Sequence, residues 1–142
     1  MKEQELRDLV DYLVSLSNEK EWLEFKVNNS KPEVIGERLS ALSNSACLLD
    51  EPYGYLVYGI EDKNHEIVGT KFNVKSERNG NEDLEMWLLN RLNPRIDIEA
   101  AEFDYAPGKH ISIFRIPAAV NRPVTFLNEA YVRVNTCTKK LS

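Results

Sequence analysis

Four residues are of types that could handle phosphate: Glu19 and Glu24 flank the start of the first expected strand, Lys26 shares its face with Glu24, and Asp62 ends the expected central strand. Three carboxylates brought together repel one another and demand a proton or a divalent cation. Oxygen-only ligands suit Mg²⁺ or Mn²⁺, which keep waters and bind phosphate. Such an ion would activate a water and stabilise a charged phosphorane, with Lys26 adding electrostatic support. A structural role fits the same residues: Glu24 pairs with Lys26 or another base, and Asp62 caps the Lys63-Asn64 turn. With 23 acids in 142 residues, spacing alone does not choose. Other chemistries lack their motifs: there is no P-loop, GxGxxG or GxSxG. The two histidines, His65 and His110, stand outside HExxH. His65 reads as a solvated turn residue and His110 as the start of a strand. Cys47 and Cys137 are 90 positions apart without metal spacing, and read as free thiols of a reducing cytoplasm.

Charge is distributed unevenly. The net value is −5, which counts against a general nucleic-acid coat. Residues 1–104 hold 12 basic and 22 acidic residues, whereas residues 105–142 hold 6 basic residues against Glu129 alone. That basic final quarter is either one face of a binding site or solvated strand ends.

The elements that must position these groups are legible. Leu6, Leu9, Val10, Leu13 and Leu16 make residues 4–17 an amphipathic helix. Residues 22–27 alternate as a strand, with Trp22, Glu24 and Lys26 on one side and Leu23, Phe25 and Val27 on the other. Ser30-Lys31-Pro32-Glu33 reads as a capping box opening a helix over 31–47. Its stripe is Ile35, Leu39, Leu42 and Ala46, and Asn44 is expected to weaken it. Residues 55–60 are apolar on both faces, as a central strand is. Residues 66–70 are expected to return as a hairpin strand, and residues 73–81 to form a polar loop. A third helix, capped by Asn81, carries Leu84, Trp87, Leu88 and Leu92 and ends at Asn93-Pro94. Four strands follow, around residues 96–105, 110–116, 123–126 and 131–134. At 142 residues the chain makes one α+β domain, with a mixed or antiparallel central sheet and about three helices. No run of about 18 apolar residues exists, so no membrane span is expected, and the polar N-terminus lacks a signal peptide's apolar core.

In order along the chain stand Glu19, Leu23-Glu24-Phe25-Lys26, Leu39-Ser40-Ala41-Leu42-Ser43-Asn44, Gly54-Tyr55-Leu56-Val57-Tyr58-Gly59-Ile60-Glu61-Asp62, Ile67-Val68-Gly69-Thr70 and Tyr131-Val132-Arg133-Val134. Together they closely resemble the Schlafen-type AlbA domain, also called the divergent AAA-4 domain. The resemblance divides the chain into an N-terminal helix, 1–18, and the AlbA domain, 19–142. It implies a DNA-binding domain of the kind found in bacterial transcriptional regulators. It also implies a second activity, because three acids of some animal Schlafens form a metal-dependent nuclease site for structured RNA. Those acids fall on Glu19, Glu24 and Asp62. Two features depart from the pattern. Asp50-Glu51-Pro52-Tyr53-Gly54 lengthens the loop before the central strand. The nuclease Schlafens clamp RNA between two copies of the fold, whereas one copy is present here, so a homodimer is implied.

Three functions therefore stand side by side. The first is a cytoplasmic binding module that holds DNA or RNA weakly, through Lys26, Arg115, Arg122, Arg133, Lys139 and Lys140, with Tyr131 as a stacking surface. The second is an Mg²⁺- or Mn²⁺-dependent endoribonuclease with Glu19, Glu24 and Asp62 as metal ligands and Lys26 beside them. The third is a protein-interaction or dimerisation domain. Arg133 reads equally well as a structural ion pair.

Overall fold

The structure, a computed structural model, describes residues 1–17 and 20–141. In chain order the elements are α1 (Glu3–Ser15), β1 (Leu23–Lys26), α2 (Pro32–Leu48), β2 (Tyr53–Tyr58), β3 (Arg78–Asn79), β4 (Glu82–Asp83), α3 (Leu84–Leu89), β5 (Leu92–Asn93), β6 (Glu99–Ala106), β7 (Lys109–Pro117), β8 (Thr125–Phe126), β9 (Glu129–Val134) and β10 (Cys137–Lys140). This is an α+β arrangement with three helices among the described residues. The main sheet has the order β1-β2-β7-β6 and a second sheet the order β10-β9-β8-β5. Only the β1–β2 pair of the main sheet is parallel; its other pairs are antiparallel.

The period-two pattern of β2 decides how the sheet is covered. Leu56 and Tyr58 face α2 with Phe114 and Ile116 of β7, and join Ile35, Leu39 and Leu42 in one core. Val57 packs on the opposite face with Leu23, Phe25 and Ile113, and α1 covers them with Leu6, Val10 and Leu13. The expected central strand is thus central, lying between β1 and β7 with both faces buried.

Helix α2 lies between the two sheets, and its short polar residues explain why. Ser40 Oγ donates to Val124 O (2.7 Å) and Ser43 Oγ to Pro117 O (2.7 Å). Asn44 Nδ2 donates to Val124 O (3.0 Å) and Tyr131 O (2.8 Å), while Asn44 Oδ1 accepts from Val124 N (2.8 Å). These side chains satisfy backbone groups of the β7–β8 connection and β9 that would otherwise be buried unpaired. Asn44 therefore does not weaken the helix, which runs on to Leu48.

Local readings differ in several places: the third helix ends at Leu89, so Leu92 lies in β5, and the expected 73–81 loop contains β3. α2 begins at Pro32 with Lys31 as N-cap and no side-chain capping bond, so the Ser30 capping box is not formed. Trp22 precedes β1 in a turn and packs on the α1 side, away from the Glu24 face. Residues 66–70 do not form a strand; one bridge, Ile60 to Ile67, remains. Val68 N and Gly69 N both donate to Gly59 O (2.9 Å each), a fold-back that needs positive φ at Gly59 (110°) and Gly69 (88°). A Cβ at Gly59 would stand 2.7 Å from His110 O. Finally, α3 starts at Leu84 after the β3–β4 hairpin, with Asp83 rather than Asn81 as N-cap.

Candidate functional site

Glu24 lies in the middle of β1, opposite Leu56, on the face covered by α2. It is 5% exposed. A buried carboxylate must be paired, and three cations surround this one. Arg38 of α2 forms an ion pair with Oε2, and Lys26 Nζ stands 3.4 Å from the same oxygen. Arg133 Nε, from β9, lies 3.5 Å from Oε1.

Arg133 also closes an open sheet edge. β1 is the outer strand, so its outward carbonyls have no strand partner. The Arg133 guanidinium donates to Leu23 O and to Lys20 O (3.1 Å), while its backbone N–H donates to Ser45 Oγ (3.0 Å). Burial lowers the pKa of Arg133, opposed by the nearby charge of Glu24 and then of Asp62. Tyr58 lies in the same row as Lys26 and donates its hydroxyl to Asn29 O (2.8 Å). Burial pushes its phenol well above the usual tyrosine range, against the pull of Arg38.

The other acids of the triad sit differently. Glu19 lies outside the described residues. Asp62 is exposed, just beyond Ile60, where the chain leaves β2. It does not cap the following turn: Asn64 Oδ1 accepts from Glu66 N (2.9 Å), and Glu66 O from Glu61 N (2.8 Å).

The basic final quarter divides by burial. Arg133 is an interior residue, not a surface phosphate contact. Arg115 is held by Glu99 (Nη2 to Oε1, 2.5 Å) and lies over the Tyr53 ring at 4.3 Å. Arg122, Lys139 and Lys140 are exposed, and Tyr131 is half-buried. His65 is not a free turn residue: its ring meets Phe25 edge-on at 4.8 Å, and Nδ1 lies 3.3 Å from Val14 O. His110 stands between Asp104 (2.7 Å) and Glu102 (3.3 Å) on β6. Cys47 and Cys137 are free and exposed.

A family model described as Schlafen, AlbA_2 matches residues 19–142, almost everything after α1. The chain belongs to the Schlafen AlbA_2 family. This is a nucleic-acid-associated family. Among solved structures the chain is similar to the DIP2311 protein of Corynebacterium diphtheriae, with a TM-score of 0.53 and 19% identity, covering 97% of this chain and 26% of that one. That likeness concerns the fold, and the chain spans about a quarter of that protein's length. None of the curated proteins matches the chain.

The divalent cation implied by the Schlafen resemblance meets a poor donor set here. Among the described residues no three His, Cys, Asp or Glu side chains are grouped to hold a metal. At Glu24 an incoming cation would face the charges of Arg38, Lys26 and Arg133. Glu24 is engaged by these cations, and Glu19, the third acid of the implied set, lies outside the described residues. Among the described residues, the cluster joins three cations to Glu24, with Asp62 acting on Arg133 from outside.

Arg38 was not evident as a site residue. Its signal was available: it flanks the Ile35-Leu39-Leu42 stripe, and a carboxylate on a strand buried on both faces requires a base from whatever helix covers it.

Proposed function

We propose that this Schlafen AlbA_2 domain binds nucleic acid through its phosphates, as a DNA- or RNA-holding module of a regulator, without cutting it. The observation that carries the reading is the engagement of Glu24. Its oxygens face Arg38, Lys26 and Arg133, so the acid serves to hold cations in place. Lys26 remains partly exposed at the edge of this net positive cluster, and Arg122, Lys139 and Lys140 offer further exposed positive charge. The rest of the surface is acidic, which keeps the affinity near the non-specific range of about 10⁻⁴–10⁻⁶ M.

The test is fluorescence anisotropy with duplex DNA and structured RNA over a salt series, with and without Mn²⁺. Binding should weaken with salt, and Lys26→Gln and Arg122→Gln should each lower the salt slope by about one. Mn²⁺ should leave thermal stability unchanged, because no ligand linkage arises without a site. Salt-independent binding would overturn the reading. RNA cleavage that needs Mn²⁺ and is lost in Asp62→Asn would replace it with the endoribonuclease one.

A further inference from the structure

The segment joining α3 to β6 and the β8–β9 turn enclose a cavity of about 470 Å³ that contains none of the residues of the Glu24 cluster. Its lining includes Arg91, Arg95, Asn90, Asn93 and Asn128 and no carboxylate. Three other cavities of the molecule carry acids in their walls: Glu21 and Glu51 in one, Asp83 and Glu85 in another, and Asp97, together with Arg95, in a third. In a chain of net charge −5, this is a local concentration of positive charge and amide groups.

The groups are held in place by the fold. The Arg91 guanidinium lies 4.4 Å from the centre of the Trp87 ring and donates to Trp87 O at 3.0 Å. A planar guanidinium fixed on an aromatic face loses little further freedom when it binds an anion. Trp87 in turn packs on Phe126 at 5.8 Å. Arg91 O accepts from Leu127 N (3.1 Å), which ties this segment to the hairpin turn. Leu127 and Asn128 take positive φ there, 49° and 67°, as a tight hairpin turn requires. The carbonyls ending α3 are covered too, since Asn90 N donates to Met86 O and Arg91 N to Leu88 O, each at 3.0 Å. One acid stands at the rim: Glu82 Oε1 is 3.7 Å from Arg91, and its Oε2 accepts from Asn90 Nδ2 (3.1 Å). Arg95 is exposed, and its side chain has no ion pair or hydrogen bond among the described residues.

We propose that this cavity is a phosphate-binding pocket for a nucleotide, either free or as a unit of a nucleic-acid strand. Arg95 is the primary contact. Arg91 is the second, presenting a guanidinium suited to two-point recognition of phosphate. The amides of Asn93 and Asn128 offer donors and acceptors to the sugar or base edge. The volume lies in the range of small-ligand sites, roughly 300–1,000 Å³. The pocket stands on its own geometry; its use by a strand rests on the function proposed above.

The experiment has two arms: uridine 5′-monophosphate binding by NMR chemical-shift titration, and anisotropy with a short oligouridylate. Arg95→Gln, at an exposed side chain without partners among the described residues, keeps the fold intact. It should abolish the shifts of Asn93 and Asn128 on nucleotide addition. It should also weaken the oligonucleotide roughly five-fold at about 0.1 M salt, the counterion-release value of one single-strand contact. Glu82→Gln should move both in the opposite direction. Loss of nucleotide binding alone supports the pocket with free nucleotide as its ligand. Nucleotide binding through Arg95 with no oligonucleotide binding by the unmodified protein keeps the pocket and removes the function proposed above. No nucleotide shifts, with oligonucleotide binding indifferent to both substitutions, overturns the pocket and leaves that function standing.

Discussion

The Glu24 cluster and the Arg91–Arg95 cavity both gather arginines, and they use them in opposite ways. At Glu24, one carboxylate sits beneath Arg38, Lys26 and Arg133 and is itself 5% exposed. At the cavity, Arg95 is exposed and has no partner among the described residues, and Arg91 pairs with a distant Glu82. Burial forces charges to satisfy one another, because an unpaired charge out of water is costly. Exposure leaves a charge free to meet a ligand. Glu24 and Arg133, which resembled chemistry in the sequence, are held in an interior ion cluster, and a less conspicuous pair of arginines lines an open cavity.

The sharpest way to break this comparison is Glu24→Gln. The substitution preserves shape and removes the negative charge that offsets three cations. Removing one partner of a buried ion pair costs about 3–5 kcal/mol, and a loss of that size is expected in urea denaturation. Arg95→Gln should change stability by no more than about 0.5 kcal/mol, as exposed sites do. If Glu24→Gln were equally silent, the cluster would not be architectural and the contrast between the two regions would fail.

Elements set by apolar periodicity were legible before the structure. Ile35, Leu39, Leu42 and Ala46 fixed α2 against the sheet, and the two-sided run 55–60 fixed the central strand. Elements set by backbone pairing were not. The return strand at 66–70 gave way to a fold-back because Gly59 O accepts two N–H groups at once. β10 carries Lys139 and Lys140, whose apolar content is nil; it forms because Thr138 and Lys139 pair with Arg133 and Val132 of β9. Of the site, Glu24 and Lys26 were visible from spacing. Arg38 and Arg133 came to Glu24 from distant segments, and no local pattern encodes a meeting across 95 residues between those two arginines.

A second, smaller effect concerns Tyr58, which shares the cluster's face. Its phenol ionises at higher pH in the folded chain than in the unfolded one. The folded state therefore holds the proton more tightly, so the stabilisation is complete below the unfolded value of about 10 and is lost as pH rises beyond it. Alkaline denaturation should be steep, and Tyr58→Phe should make it shallower while costing about 1 kcal/mol at neutral pH through the lost bond to Asn29 O. Some slope will persist, because Tyr55, Tyr105 and Tyr131 are raised as well. Urea midpoints measured from neutrality to beyond pH 10 separate the contributions, and an unchanged alkaline slope in Tyr58→Phe would remove Tyr58 from the account.

The smallest expected effect is the most discriminating for charge in the final quarter. Counting residues gives Arg115 and Arg122 equal weight as phosphate contacts. The structure separates them. Arg115 is held by Glu99 across the β6–β7 register and lies over Tyr53, whereas Arg122 stands exposed beside Pro123 at the rim of a largely apolar cavity. A phosphate reaching Arg115 would have to displace a carboxylate already in contact, so the net gain in charge neutralisation is close to nothing. Arg115→Gln should therefore lower stability by about 0–1 kcal/mol and leave the salt slope of nucleic-acid binding unchanged. Arg122→Gln should leave stability unchanged and lower that slope by about one. Equal loss of slope from the two substitutions would mean that the Glu99 ion pair opens on binding, and that pairing outside the core does not withhold a charge from a ligand.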